Sequence, residues 1–211
     1  MAFIETLPIA DVDDEVRAMY ARQQAHYGYV PNYAKVFCYR PEIMDLWAQL
    51  QRGIKRHMDK RRFELVTFAA AHALRSTLCS LAHGKALTEF VTPEDVQAIA
   101  EGRTPQSLTD AEGAMLVFAR KVARDATSVT AGDVELLKER GFTDAEIFDI
   151  ASAAAARAFW TKLIESLGVE ADGPFRSLDA GFRKALTVGR PIDFAEAERM
   201  DYRASAETMS A

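Results

Sequence analysis

The sequence has little cysteine, no long apolar run and no excess of basic charge, and each shortage removes a class of protein. Two cysteines, Cys38 and Cys79, cannot build a disulfide framework, and in a reducing compartment a thiol is a reactive or packing group rather than a staple. The most apolar window, Val66 to Leu74, is broken by His72 and is less than half of the roughly 20 residues a membrane span needs. The first residues, Met1 to Thr6, lack the basic start and apolar stretch of a secretion signal, so a cytoplasmic protein with no membrane partner is expected. Lys and Arg (26) do not outnumber Asp and Glu (31). The short basic cluster Lys55-Arg56-His57 with Lys60-Arg61-Arg62 has no interleaved aromatics, so it reads as a solvated helix face and no nucleic acid partner is expected.

What is present is an ordinary globular composition: 211 residues, 49% apolar, 27% charged, formal net charge -5. Such a chain can bury a substantial core. Strand signals are almost absent, while helix punctuation recurs. Thr92-Pro93-Glu94-Asp95 places a cap before a proline at the first helical position, and Gly102 closes that helix. Thr109-x-x-Glu112 and Thr143-x-x-Glu146 are capping boxes, and Gly141 and Gly168 stop the helices before them. The pattern predicts helices over 12–26, 32–38, 41–57, 60–74, 77–90, 93–101, 110–125, 131–140, 144–167 and near 175–187. This is an all-α fold of about ten helices, compatible with an internal duplication: one domain over 1–190 and a tail or arm over 191–211. The turn from Tyr27 to Tyr33 is packed with aromatics, and Tyr29 and Tyr33 either line a pocket or staple two helices. The alanine-rich run 151–156 marks a close helix–helix approach, within the subunit or between subunits.

One segment, Glu64 to Gly84, carries chemistry. On a helix advancing ~100° per residue, Ser76, Cys79 and His83 share a face, so imidazole reaches thiol. Glu64 would sit ~22 Å from Cys79 on one straight helix. A turn near Arg75-Ser76-Thr77, where Ser or Thr caps a new helix, folds the segment into an antiparallel hairpin and brings Glu64 and His83 to comparable heights. Glu64 then holds His83, His83 holds Cys79, and the new helix start and the imidazole both favour the reactive thiolate. His72 lies on nearly the same helical face as Glu64 and either enters the pocket or is a hydrogen-bonded core histidine. Arg157 and Trp160 border the pocket or pack in the core. Glu64, His72, Cys79 and His83 are all metal-ligand types, but the close ligand pairs of tetrahedral sites are missing, so neither metal nor other cofactor is expected.

The four positions Glu64, Ser76, Cys79 and His83 are in register with the Glu, eleven residues, Cys-x-x-Cys, three residues, His pattern of AhpD-like proteins. With Gly28-Tyr29-Val30-Pro31-Asn32, Arg40-Pro41-Glu42 and Gly141 to Ile147, the chain resembles the peroxidase-related branch of the carboxymuconolactone decarboxylase superfamily over about residues 5 to 192. The resemblance implies an alkylhydroperoxidase-like antioxidant oxidoreductase and a homo-oligomer. Cys79 would be the nucleophile, His83 the proton acceptor, Glu64 the orienting carboxylate and Ser76 a hydrogen-bond donor to thiolate or peroxide. Its partners would be a hydroperoxide or other small molecule and an external thiol reductant. Ser76 replaces the first motif cysteine, so the family's disulfide cannot form; Cys38 is the internal candidate for the resolving thiol, an external or intersubunit thiol the other. Two rival readings stand beside it. In one, Glu64 and His83 or His72 perform acid–base work on a small carboxylate, as in the lactone decarboxylases, and Cys79 is dispensable. In the other, the site has decayed and the chain is a non-catalytic oligomeric binding protein.

Overall fold

The structure is a computed structural model that describes residues 2–192. Among these, ten α-helices follow one another: α1 (Asp14–Tyr27), α2 (Asn32–Val36), α3 (Pro41–Lys55), α4 (Lys60–Ala73), α5 (Thr77–Leu87), α6 (Pro93–Ala100), α7 (Asp110–Asp125), α8 (Ala131–Glu139), α9 (Asp144–Ser166) and α10 (Ala180–Leu186). The only extended pairing among the described residues is an isolated parallel bridge between Ala171 and Ile192. The fold is all-α. No helix among the described residues is long and apolar enough to cross a membrane.

The helix ends lie where cap chemistry puts them. Thr92, Thr109 and Thr143 each accept a hydrogen bond from the backbone N–H three residues on, and Asp95, Glu112 and Glu146 reach back to the cap N–H. Gly102, Gly141 and Gly168 take positive φ just past α6, α8 and α9. The helix expected over 175–187 is instead two pieces: a 3-10 turn at Gly173–Ser177, then α10. Leu178 is extended, and the Asp179 carboxylate accepts from Phe182 N–H at 2.9 Å, so the chain restarts with a fresh cap. Ile192, at the start of the expected tail, is buried beside Ala171; positions 193–211 of that tail lie outside the described residues.

α4 is the central helix. Phe63 to Ala71 are buried without interruption, because α5, α7 and α9 cover it on several sides. Small side chains permit that crowding: Ala69, Ala70 and Ala71 on α4 are fully enclosed, as are Ala119 on α7 and Ala153 and Ala154 on α9. The predicted close approach at 151–156 is therefore met inside the subunit. α10 closes the far side of α5, where Leu186 lies against Gly84; a Cβ on Gly84 would stand 2.2 Å from Leu186 Cδ2. The following residues cross the α4–α5 turn. Gly189 N–H donates to Thr77 Oγ1 at 2.9 Å, Arg75 Nε donates to the Val188 carbonyl at 3.1 Å, and a Cβ on Gly189 would collide with the Arg75 carbonyl.

Candidate active site

The hairpin forms as the sequence requires. α4 stops at Ala73, Arg75 takes φ 60°, a left-handed value rare outside glycine, and Ser76 opens α5 as its cap. Ser76 Oγ accepts from Cys79 N–H at 3.4 Å, and Ser76 N–H donates to the Ala71 carbonyl at 3.2 Å. Glu165 on α9 neighbours that hydroxyl. Ser76, expected as a donor to thiolate or peroxide, is the cap of α5, and no hydrogen bond joins its hydroxyl to the Cys79 sulfur.

Across the hairpin, Glu64 Oε2 and His83 Nδ1 are 2.6 Å apart. Arg61 pairs with Glu112 and Arg62 with Glu146, so neither neighbouring arginine claims Glu64. Burial pushes the Glu64 carboxyl up, but His83, Lys55 and Arg157 together outweigh it and hold the group below the usual carboxylate range. Burial pushes the His83 imidazole down, the positive charge of Arg157 adds to this, and Glu64 recovers only part of the loss. An ionised Glu64 and a neutral His83 satisfy both directions. The proton between them then belongs to Nδ1, which donates to the carboxylate, and Nε2 carries the lone pair. Thr67 Oγ1 lies 3.3 Å from Nδ1 but directs its own proton to the Phe63 carbonyl at 2.7 Å.

The pair opens onto a cavity of about 500 Å³. Leu78, Ala82 and His83 of α5 form one wall, Tyr29, Pro31 and Tyr33 face them, and Lys55 and Lys85 bring two cations to the site. Asp172, Pro174 and Phe175 close the remaining side. The aromatic turn serves both expected purposes. Tyr29 and Tyr33 line the cavity, while Tyr33 packs edge-on against Tyr27 at 6.4 Å and Trp160 at 5.5 Å and donates its hydroxyl proton to Gln23 Oε1 at 2.8 Å. In the sequence Lys55 stands only in a basic cluster that reads as a solvated helix face, and Lys85 carries no pattern that marks it.

Cys79 is not in the cavity wall. Its relative exposure is 1%, and its sulfur accepts hydrogen bonds from Arg157 Nη1 at 3.9 Å and Thr161 Oγ1 at 3.7 Å, both on α9. No hydrogen bond joins the sulfur to His83, whose Nδ1 is taken by Glu64. Only two members of the expected relay are hydrogen-bonded to each other; the thiol lies behind them against α9. Arg157, expected either to border the pocket or to pack in the core, is the buried neighbour of that thiol, 6% exposed, with its guanidinium 5.5 Å over the Trp47 ring. Trp160 lines an adjacent groove with Trp47, on the other side of Tyr33.

His72 turns away from the site. Its ring packs 5.7 Å from Phe68 and faces the Ala185 carbonyl, and burial lowers its proton affinity. It is a core histidine. Cys38 is buried beside Tyr20, and both cysteines are free. Among the described residues, no group of three or more His, Cys, Asp and Glu side chains is arranged to hold a metal ion.

The fold is one already known. Over 90% of this chain and 98% of the other, it superposes on the alkylhydroperoxidase AhpD core of an uncharacterized peroxidase-related protein from Ralstonia eutropha JMP134, with TM-score 0.71 and 23% identity. A peroxidase-related protein from Silicibacter sp. TM1040 matches with TM-score 0.67 and 22% identity, covering 81% of this chain and 92% of that one. The debrominase Bmp8 matches with TM-score 0.66 and 16% identity, covering 87% and 96%. The fold is thus the all-α AhpD-like one. Residues 41–121, from α3 into α7 and including the whole α4–α5 hairpin, match the model of the Carboxymuconolactone decarboxylase family. No curated protein matches the chain significantly in sequence.

Proposed function

We propose that this protein is a proton-transfer enzyme of the lactone decarboxylase kind, in which His83 is the general base and Glu64 its orienting carboxylate. The observation that supports it is the 2.6 Å Glu64–His83 contact at the wall of a cavity of about 500 Å³ that Cys79 does not line. His83 Nε2, unengaged by protein, takes a proton from carbon or water in the bound molecule; Nδ1–H stays on Glu64, which stabilises the imidazolium as it forms. Lys55 and Lys85 favour a small anionic substrate, a carboxylate for example. The test is turnover of carboxymuconolactone and a panel of small carboxylates, with solvent deuterium incorporation as a second readout. His83→Gln is expected to lose about two orders of magnitude or more, and Cys79→Ser to stay within a few-fold. If Cys79→Ser abolishes turnover while the fold persists, the reading is wrong.

A thiol reading is favoured by one separate observation, the donation of two hydrogen bonds to the Cys79 sulfur from Arg157 and Thr161. In it, His83 takes up the Cys79 proton, the thiolate attacks the O–O bond of a hydroperoxide and becomes sulfenic acid, and the alkoxide leaves as alcohol on receiving that proton from His83. Two equivalents of an external thiol then restore the cysteine, giving a disulfide and water. Structural neighbours named as peroxidase-related lend it support, as does a cysteine-to-alanine variant of the debrominase Bmp8 in complex with 2,3,4-tribromopyrrole. A sixteen-dalton gain (about 16, one oxygen) on Cys79 after stoichiometric hydroperoxide is its signature. In either case we propose a second copy of this chain as partner, because Leu46 and Leu50 on α3 and Phe148 and Phe159 on α9 are exposed.

A further inference from the structure

Arg157 is a buried cation that lacks a buried anion of its own. Three partly buried arginines have carboxylates, Arg61 with Glu112, Arg62 with Glu146 and Arg190 with Glu165, and the partly buried Arg120 and Arg183 donate to backbone carbonyls. Arg157 sits deeper than any of these, yet its contacts are a sulfur, an indole face and a hydroxyl neighbour, and its Nε is enclosed without a partner. Taking a guanidinium out of water without pairing it is costly, and a sequence that keeps one there keeps it for its field. The guanidinium reaches Cys79, one helical turn before His83 on α5, so its charge adds to burial at His83 and to the charges of His83 and Lys55 at Glu64.

A carboxylate and an imidazole at 2.6 Å have two ways to share their protons. Left alone, the ion pair of carboxylate and imidazolium is the common outcome, and an imidazolium has no lone pair with which to act as a base. A fixed cation nearby breaks the balance: it favours the anion at Glu64 and disfavours a second cation at His83. We propose that Arg157 is a positioning residue of this site: a buried guanidinium without a carboxylate partner, held on Cys79 one helical turn of α5 from His83, whose fixed charge leaves His83 Nε2 free to accept a proton. Cys79 and Thr161 acquire a role from this. Cys79 Sγ accepts from the guanidinium and from the Thr161 hydroxyl, so a sealed thiol locates the charge without touching substrate. Lys55, at the end of α3, acts in the same sense on both groups. The other ionisable groups around the cavity are Lys85 on α5, Asp172 before the 3-10 turn, and His26, Tyr27, Tyr29 and Tyr33 on or after α1.

The inference rests on the proton-transfer reading for its purpose, but its test needs no substrate. The His83 ring is followed by long-range proton–nitrogen correlation across pH in the full-length, histidine-labelled protein, with His83→Gln giving the assignment. The expected result is a neutral ring at pH 7 with the proton on Nδ1 and a midpoint below the ordinary ~6.5. Arg157→Met is expected to raise that midpoint by about half a pH unit or more, and Arg157→Lys, which keeps the charge, to leave it low. A merely structural arginine would move both variants alike. An unchanged midpoint in Arg157→Met, or equal rises in Met and Lys variants, overturns the proposal. So does an imidazolium at pH 7 in the parent protein, a result that needs no variant to fold. Absence of lactone turnover in a parent whose His83 titrates low would sink the enzyme reading and leave the role of Arg157 intact.

Discussion

Glu64→Gln isolates the charge of the buried pair, because glutamine keeps the shape and its amide oxygen still accepts from His83 Nδ1–H. What changes is the kind of hydrogen bond. One to a charged group contributes about 1.5–3 kcal/mol and a neutral one about 0.5–1.5, a difference of roughly 1 kcal/mol. The charges of Lys55 and Arg157 also lose the anion that they act on from a distance, which adds to the cost. Against this, a buried amide avoids the dehydration that pushes the Glu64 carboxyl up. Since the carboxyl is nonetheless held below its usual range, the favourable terms exceed the dehydration, and the net loss at pH 7 is expected to be about 1–2 kcal/mol. Urea unfolding reads this as a lower midpoint at unchanged m value. The pH dependence supplies a second check. A carboxyl whose folded value lies below its unfolded ~4.3 stabilises the fold above that pH, and the contribution disappears as pH falls through the folded value. The gap between parent and variant must therefore close on the acid side. Equal stability at pH 7, or a gap that survives well below the carboxylate range, would refute the claim that Glu64 is the charge balancing this site.

Two further outcomes follow from packing. Gly84→Ala gains about 1 kcal/mol of helix propensity but drives a methyl to 2.2 Å from Leu186 Cδ2 and 3.3 Å from Phe68 Cε2, both residues being fully enclosed; a net loss of about 1–2 kcal/mol is expected, and an unchanged thermal midpoint would contradict it. Cys38 and Cys79 are both buried, so a chromogenic disulfide reagent should label the folded protein on the order of a hundredfold or more slowly than the urea-unfolded chain; prompt labelling of Cys79 in the native state would show the thiol open to solvent and favour the redox reading.

Much of this architecture is legible in the sequence because it is written in local chemistry. Thr92, Thr109 and Thr143 with their acidic partners mark helix starts to the residue, and the Ser76 cap locates the bend that brings Glu64 to His83. What escaped is whatever depends on how helices distant in the chain face one another. Spacing places Cys79 on the same side of α5 as His83, but only the approach of α9 decides that the sulfur meets Arg157 and Thr161. The same holds for His72: its periodicity with Glu64 is real, yet α10 supplies the Ala185 carbonyl that it faces instead of the cavity. A signal for Arg157 does exist, a cation set directly after the close-packed alanines 153, 154 and 156 of α9. It gives burial, not partner.

The crossing of the α4–α5 bend by residues 188 and 189, with Leu186 seated on Gly84, has a consequence for biosynthesis. The carboxylate and imidazole leave the ribosome early, joined by a short loop, but the clamp that fixes their hairpin comes more than a hundred residues later. A nascent chain halted after α9 would own every group of the proposed chemistry and still lack the brace that holds them in register. Competence for the proposed chemistry should therefore switch on abruptly, once residues 186–189 have joined the chain, rather than accumulate helix by helix.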